Sequence, residues 1–503
     1  MKHYLKFIAI IILLFFSEPV AIHGDTSSDV KNNLPTEKYT AILLSELPDD
    51  CVEEEAIIDL SMVEINELES DETYTVIVDA GSSGNRVHLF KWQESNGRIS
   101  EIETVEFKSK AENSVPLSGF GNRPECASVA YKGLNSLLEE VENKGGKAVE
   151  VYILATAGMR GLSDDEQKKI YTALCEYLNP WVSETCLETN IRTITGNEEA
   201  GFAWLSINRD AIINNEGRQN TQNILELGGA SMQIAFLTDS EPAKNDRFIF
   251  TQSDEEIYTL YAVSYLGLGQ NKVSSHLGSI MTSPNQEVFS CYPTGFKPPD
   301  KTEAYLWNAE QCDVTLQTYL ESETLCSLNE ENKTHCDSNN LELSIPDAFT
   351  NSFEVAGEKE FTVLSNFYHT ANILGLTDSW TLSDFNKASE GFCGKSWDDL
   401  VKENEAPEKF LKNYCFSATY INLLLEEFGF DDTNRFKAFK SDWTGGAMLY
   451  YATESRNDQE KISPPDTMPI SGQAQSVPLT LVLLLLTGGG FLILGFVIRI
   501  REP

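Results

Sequence analysis

The stretch Asp79-Ala80-Gly81-Ser82-Ser83-Gly84-Asn85-Arg86 lies between two strand-like runs, 74–78 and 87–92. A second stretch of the same design, Glu226-Leu227-Gly228-Gly229-Ala230-Ser231, lies between the runs 223–225 and 232–237. A strand that ends in a carboxylate, turns on glycine and serine and returns as a strand is a β-hairpin. Glycines in the turn let backbone N–H groups approach a ligand closely, and the serine hydroxyls add donors. The leading carboxylates, Asp79 and Glu226, are groups that hold a metal's water shell. Two such loops facing each other clamp a polyphosphate from both sides. Their starts are 147 residues apart, about one domain length. That spacing predicts a duplicated α/β unit with the active site between the copies.

Composition bounds the rest. A chain of 503 residues exceeds the size at which one hydrophobic core keeps growing, so two domains are expected. Apolar content of 41% with 23% charged residues is that of a globular protein rather than a disordered one. A net charge of −39 argues against nucleic acid as a partner, because nothing offsets phosphate repulsion. An anionic small substrate would arrive with a divalent cation.

Both ends are hydrophobic. Lys2 and Lys6 precede the apolar run 7–16, which Glu18 and Pro19 interrupt. Residues 1–24 therefore read as a signal peptide cleaved near 21–24, or as an uncleaved signal anchor. Residues 477–498 carry no charge and are followed by Arg499 and Arg501, the pattern of a transmembrane helix with 499–503 in the cytoplasm. A glycolipid-anchor signal also ends in an apolar tail, but the arginines after this one argue against it. The bulk of the chain then lies outside the cytosol, tied to the membrane by its C-terminal helix. Ten cysteines, all between the hydrophobic ends and none in CxxC spacing, fit disulfides in an exported protein. Pairs close in sequence are the candidates: Cys175 with Cys186, Cys326 with Cys336, Cys393 with Cys415. Asn332-Lys333-Thr334 is the one glycosylation sequon.

Between the ends, 25–72 is an acidic lead-in and 73–195 a first α/β domain, completed by about 436–452. Residues 196–435 form the second domain. The polar, proline-containing stretch 453–476 reads as a stalk to the membrane. Within the body, 149–155 is a strongly apolar strand, and 198–208 has helical spacing at Phe202, Leu205 and Ile207.

Two segments between the hairpins carry further chemistry. Ala155-Thr156-Ala157-Gly158-Met159-Arg160 is a small-residue turn after a buried strand, a good place for a ligand, with Thr156 as donor and Arg160 as cation. Packing at a tight helix start would also select small residues there. In Thr195-Gly196-Asn197-Glu198-Glu199 the paired glutamates sit in the first turn of a helix, where the dipole favours negative charge. Helix capping by Thr195 or Asn197 explains such a sequence by itself. The functional alternative is that one glutamate points into the cleft as a general base.

The motifs DAGSSGNR, ATAGMR, TGNEEAGFAW, ELGGASMQ and SDWTGGAML occur in the order of the five apyrase conserved regions. From about Tyr74 to Tyr451 the chain resembles the ectonucleoside triphosphate diphosphohydrolase, or apyrase, family. Residues 261–269 resemble a sixth common segment. The resemblance implies an α/β fold of two ribonuclease-H-like (actin-type) domains around a cleft. It implies divalent-cation-dependent hydrolysis of nucleoside tri- and diphosphates, with Ca²⁺ or Mg²⁺ as cofactor. By position, Glu199 matches the catalytic base, and Ser231 would position the attacking water. Ser82, Ser83, Gly84 and Asn85 would bind phosphate from the first domain, and Thr156 and Ala157, with Gly229, Ala230 and Ser231, would complete the cradle. Asp79 and Glu226 would hold the cation through its waters. Tyr368 or His369, together with Phe428, match the aromatics that sandwich the nucleobase, although filling the core would equally explain them.

Two positions depart from the family pattern: Glu226 stands where aspartate is usual, and Gly445-Gly446 where leucine–glycine is common. Two other functions fit the same motifs. One is a nucleoside diphosphatase with little triphosphate activity, and the other a catalytically decayed nucleotide-binding membrane receptor. A kinase is the weakest reading, since no acceptor-binding motif is visible.

Overall fold

A computed structural model describes residues 64–65 and 73–462, apart from 96–97, 109–115, 132–133, 145–148, 183–184, 254–255, 282–287, 299–303, 329, 338–339 and 345–359. The signal segment, most of the acidic lead-in and the predicted membrane helix at 477–498 lie outside the described residues. The one described piece of the lead-in, Glu64–Ile65, pairs antiparallel with Phe107–Lys108.

Two mixed sheets form the frame. The first contains β1 (Thr73–Gly81), β2 (Gly84–Ser95), β3 (Arg98–Val105), β4 (Val149–Ala155) and β5 (Ile191–Thr193), in the order β3-β2-β1-β4-β5. The first three are antiparallel, and β4 and β5 run parallel to β1. The second sheet contains β6 (Asn223–Leu227), β7 (Ser231–Leu237), β8 (Arg247–Ser253), β9 (Glu256–Leu266), β10 (Glu360–Ser365) and β11 (Arg435–Ala438), in the order β8-β9-β7-β6-β10-β11. Without the edge strand β8, its order and strand directions repeat those of the first sheet. The duplication inferred from the two loops is therefore present as topology. Each glycine loop joins the first two strands of its sheet.

The strands are apolar on both faces because both faces are covered. On β1, Val76, Ile77 and Val78 are all fully buried. Val76 and Val78 pack under α1 (Leu134–Asn143) and α2 (Asp164–Tyr177), while Ile77 faces the other way into a central core. That core holds α3 (Gly196–Ile213) and the C-terminal helix Thr444–Ile462, with Ile77, Tyr152 and Leu154 from one sheet and Ile224, Ala235 and Leu260 from the other. The far face of the second sheet is covered by helices that include α4 (Asn366–Ile373) and α5 (Tyr414–Glu427). With the C-terminal helix numbered α6, the α3–α6 contact explains the second glycine of the Gly445-Gly446 pair. A Cβ on Gly446 would lie 1.9 Å from the Phe202 carbonyl oxygen, so the two backbones touch where no side chain fits.

Three expectations are corrected. The return to the first unit does not begin at 436, because β11 pairs parallel with β10 and completes the second sheet through Ala438. The stretch read as a stalk from 453 starts inside α6, which runs to Ile462. Nothing in 453–461 breaks a helix, and the first prolines are Pro464 and Pro465. The sequon is not a surface site either. Asn332 is fully buried, and its amide donates to the Leu266 and Leu325 carbonyls at 2.8 and 2.7 Å while accepting from Leu266 N at 3.0 Å. The asparagine is a structural clasp, with no room for a glycan. All three cysteine pairs close in sequence are disulfides, Cys291–Cys312 is a fourth, and Cys126 is bonded as well.

Candidate active site

The two glycine loops meet at one edge of a cavity of about 800 Å³ that lies between the sheets. Ser82, at the tip of the β1–β2 turn, fits between two glycines of other segments. A Cβ on Gly229 would come within 2.7 Å of Ser82 Oγ, and one on Gly158 within 2.9 Å of Ser82 Cα. Ala157 and Ala230 pack together beside Leu266. Small residues in all three segments are thus the condition for bringing the loops into contact. The packing reading of 155–160 is borne out by this contact between the loops.

Most of the predicted phosphate-binding residues line this cavity: Ser82, Ser83, Thr156, Ala157, Gly229, Ala230 and Ser231. Gly84 and Asn85 do not. Gly84 closes the hairpin opposite Gly81 with φ of +138°, a conformation that glycine adopts without strain. Asn85 is buried behind the turn, its Oδ1 accepting a hydrogen bond from the Tyr131 hydroxyl at 3.1 Å. Both support the loop from behind.

The paired glutamates divide their roles. Glu198 forms a capping box with Thr195 and accepts both Nη groups of Arg192 at 2.9 and 2.7 Å, so capping and this ion pair account for it structurally. Glu199, one residue on, turns into the cavity while remaining 6% exposed. Arg160 donates to its Oε2 at 2.6 Å, with both side chains 8% exposed. The cation expected to meet a ligand therefore meets the Glu199 carboxylate instead. Arg160 also donates to the Ile194 carbonyl at 3.1 Å and to Ser264 Oγ at 3.3 Å. The Gln233 amide then donates to Ser264 Oγ at 2.9 Å and to Ser231 Oγ at 2.6 Å. Glu199 and Ser231 are joined through Arg160, Ser264 and Gln233. Sequence reading missed Ser264 and Gln233, although both fall inside quoted motifs.

The two loop carboxylates face the same cavity, each half satisfied. Asp79 Oδ2 accepts from Arg86 at 3.0 Å, and Glu226 Oε1 accepts from the Ser365 hydroxyl at 2.8 Å. Asp79 Oδ1 and Glu226 Oε2 are buried with no hydrogen-bond partner. Burial is the main cause that raises the Asp79 carboxyl to about 6, opposed by Arg86 and reinforced by Asp442. It raises Glu226 to about 8, with Glu199, Asp442 and Asp79 adding to the rise and the Ser365 bond opposing it. Asp442, from the turn before α6, lines the cavity too and was not picked from the sequence. Among the described residues no three His, Cys, Asp or Glu side chains are grouped closely enough to ligate a metal directly. Two orphaned carboxyl oxygens on opposite loops nevertheless fit a hydrated divalent cation, which would favour their ionised forms.

This arrangement predicts a pH effect with a definite sign. A carboxyl whose folded pKa is raised keeps its proton longer when folded, so stability falls as pH rises between the unfolded and folded values. For Glu226 that window is 4.5 to about 8, and for Asp79 3.8 to about 6. In the metal-free protein the contribution of these two carboxyls to stability is expected to be full below this window and to be lost through it. A divalent cation relieves the penalty by favouring the ionised forms. The gain in melting temperature on adding Ca²⁺ should therefore be larger at pH 8 than at pH 5. Equal gains at both would separate these carboxylates from the metal.

The nucleobase candidates separate. His369 lines the cavity, whereas Tyr368 beside it does not and packs its ring against His369 at 5.2 Å. Phe428 is corrected outright. It is 5% exposed in the core of the second sheet, edge-on to Tyr265 at 5.3 Å. Phe410, Tyr414 and Trp443 are the Phe, Tyr and Trp residues that line the cavity among the described residues, and Trp443 is itself only 3% exposed. Tyr414 adjoins Cys415, whose bridge to Cys393 anchors it; no sequence signal separates it from Phe416, the aromatic on the other side of Cys415, which is buried in the core.

One cleft thus gathers the Glu199 carboxylate, the Ser231 hydroxyl and both glycine loops. The chain belongs to the GDA1/CD39 (nucleoside phosphatase) family, whose pattern matches residues 65–465. It is 29% identical over 434 residues to probable apyrase 6 of Arabidopsis thaliana, covering 76% of this chain and 73% of that one. It is 27% identical over 438 residues to the nucleoside-diphosphatase mig-23 of Caenorhabditis elegans, with coverages of 76% and 78%. It is 26% identical over 380 residues to ectonucleoside triphosphate diphosphohydrolase 3 of Mus musculus, with coverages of 70% and 71%. The resemblance read from five short motifs extends over three quarters of the chain.

Proposed function

We propose that this enzyme hydrolyses nucleoside tri- and diphosphates to the monophosphate and inorganic phosphate, outside the cytosol and with a divalent cation. The observation that carries the proposal is the convergence of Glu199 and Ser231 with both glycine loops on one cavity. Glu199 accepts the proton of the attacking water, and Ser231, braced by Gln233, orients that water. Ser82, Ser83 and Thr156 donate to phosphate oxygens from one sheet, and the backbone at Gly229 and Ala230 from the other. Asp79 and Glu226 would hold Ca²⁺ or Mg²⁺ through its waters, and the cation supplies charge neutralisation on the phosphates. His369, Phe410 and Tyr414 offer the base a sequence-tolerant stacking surface. The repeated strand order supports assignment of the two sheets to two ribonuclease-H-like, actin-type domains.

The disulfides support an oxidising compartment. The name of the mouse relative, ectonucleoside triphosphate diphosphohydrolase 3, agrees with that location. A nucleoside diphosphatase with little triphosphate activity is the second reading, favoured by the likeness to mig-23. Phosphate release from ATP, ADP, GDP and UDP, with metal omitted as control, separates the two. Release from all four in the presence of metal is the expected result. Release confined to diphosphates selects the second reading. Nucleotide binding without release from any of them returns the chain to the decayed receptor.

A further inference from the structure

We propose that Ser365 is a positioning residue for Glu226, holding one carboxylate oxygen so that the other is presented to the hydrated cation; this rests on the function proposed above. Ser365 is the last residue of β10 and precedes α4, with φ of +57° and ψ of −121°. Such a backbone is strained for any residue with a Cβ and costless for glycine. A side chain that persists there is held by something the position gains from it. The gain is visible: Ser365 Oγ donates to Glu226 Oε1 at 2.8 Å, while Glu226 Oε2 stays buried and unpartnered.

The neighbouring backbone makes this contact an aimed one. β10 pairs in parallel with β6, Leu364 opposite Glu226 and Ser365 opposite Leu227. Asn366 then donates to the Leu227 carbonyl at 2.8 Å and to the Gly228 carbonyl at 3.3 Å. The strand end is thus clamped to the second glycine loop on both sides of the carboxylate. Glutamate has one more rotatable bond than aspartate, and a lone buried carboxylate could turn away from the cavity. A fixed hydroxyl removes that freedom, as outer contacts do for the ligands of metal sites.

The strain and the hydroxyl can be separated by mutation. Ser365→Gly removes both, whereas Ser365→Ala removes the hydroxyl and keeps the strain. In the full-length protein, both variants are expected to raise the half-saturating Mg²⁺ or Ca²⁺ concentration for phosphate release on the order of tenfold. Both should also shrink the metal-induced rise in melting temperature measured with a non-hydrolysable ATP analogue. Metal-free S365G should melt no lower than S365A. With Glu226→Asp the shortened carboxyl no longer reaches Ser365, so adding S365G should change the metal demand by less than about twofold. An S365G protein with wild-type metal demand overturns the inference alone. An effect of equal size in the E226D background, or S365G melting below S365A, does the same. A wild-type protein with no metal dependence overturns the proposed function and this inference with it.

Discussion

Replacing Glu199 by Gln is expected to reduce phosphate release by about 10²–10⁴-fold, the range supplied by a positioned general base. Nucleotide should still bind. Glutamine keeps the shape of the side chain and an oxygen that accepts from Arg160, so the loops and cavity stay in register. What it removes is the lone pair that takes the proton from water. Its charge is also lost, and this works in favour of binding. Glu199 is one of the negative neighbours that raise both Glu226 and Asp79. Without it those carboxylates ionise more easily, and a hydrated cation should be held at least as well. The signature is therefore a loss in kcat with binding of the metal–nucleotide complex retained, measured by single-turnover phosphate release and by equilibrium titration. Near-normal turnover would remove Glu199 as the base, and loss of binding with loss of turnover would make it structural.

Much of this fold was legible because its signals are local. Two carboxylate-led hairpins of one design predicted a repeated unit, and the sheets share one strand order. Glu199 was picked from a pair that ordinary helix capping explains, and capping does explain its neighbour Glu198. What could not be read depends on contacts distant in sequence. Arg160 presents a free cation in the sequence, but the fold brings Ile194, Glu199 and Ser264 around it. Asn332 has a surface sequon's pattern, yet its amide is consumed by two carbonyls in the interior. Phe428 and Tyr414 are both aromatics near α5, and only tertiary packing sends one into the core and the other to the cleft. Asp442 comes close to Asp79 and Glu226 because the α3–α6 contact holds its turn between the sheets.

Removal of Arg160 should cost more stability than its single ion pair suggests. Arg160→Ala removes the cation of a buried ion pair, with both side chains 8% exposed, and breaking such a pair from one side typically costs about 3–5 kcal/mol. The three other acidic groups around the cavity, Asp79, Glu226 and Asp442, make the Glu199 charge still less favourable once Arg160 is gone. The same change severs the link from Glu199 through Ser264 to Gln233 and Ser231, so activity should fall with stability. The double variant R160A/E199Q distinguishes these effects. A neutral glutamine does not need the guanidinium, so the double variant should be more stable than R160A alone. Their coupling is expected within the roughly 0.5–3 kcal/mol seen for residues in direct contact. Activity, in contrast, should not return, because the base is absent. Denaturant midpoints for the wild type, both single variants and the double variant provide the measurement. Simple addition of the two single losses would mean that the buried pair is not what Arg160 stabilises, and that its contacts to Ile194 and Ser264 carry the structural role instead.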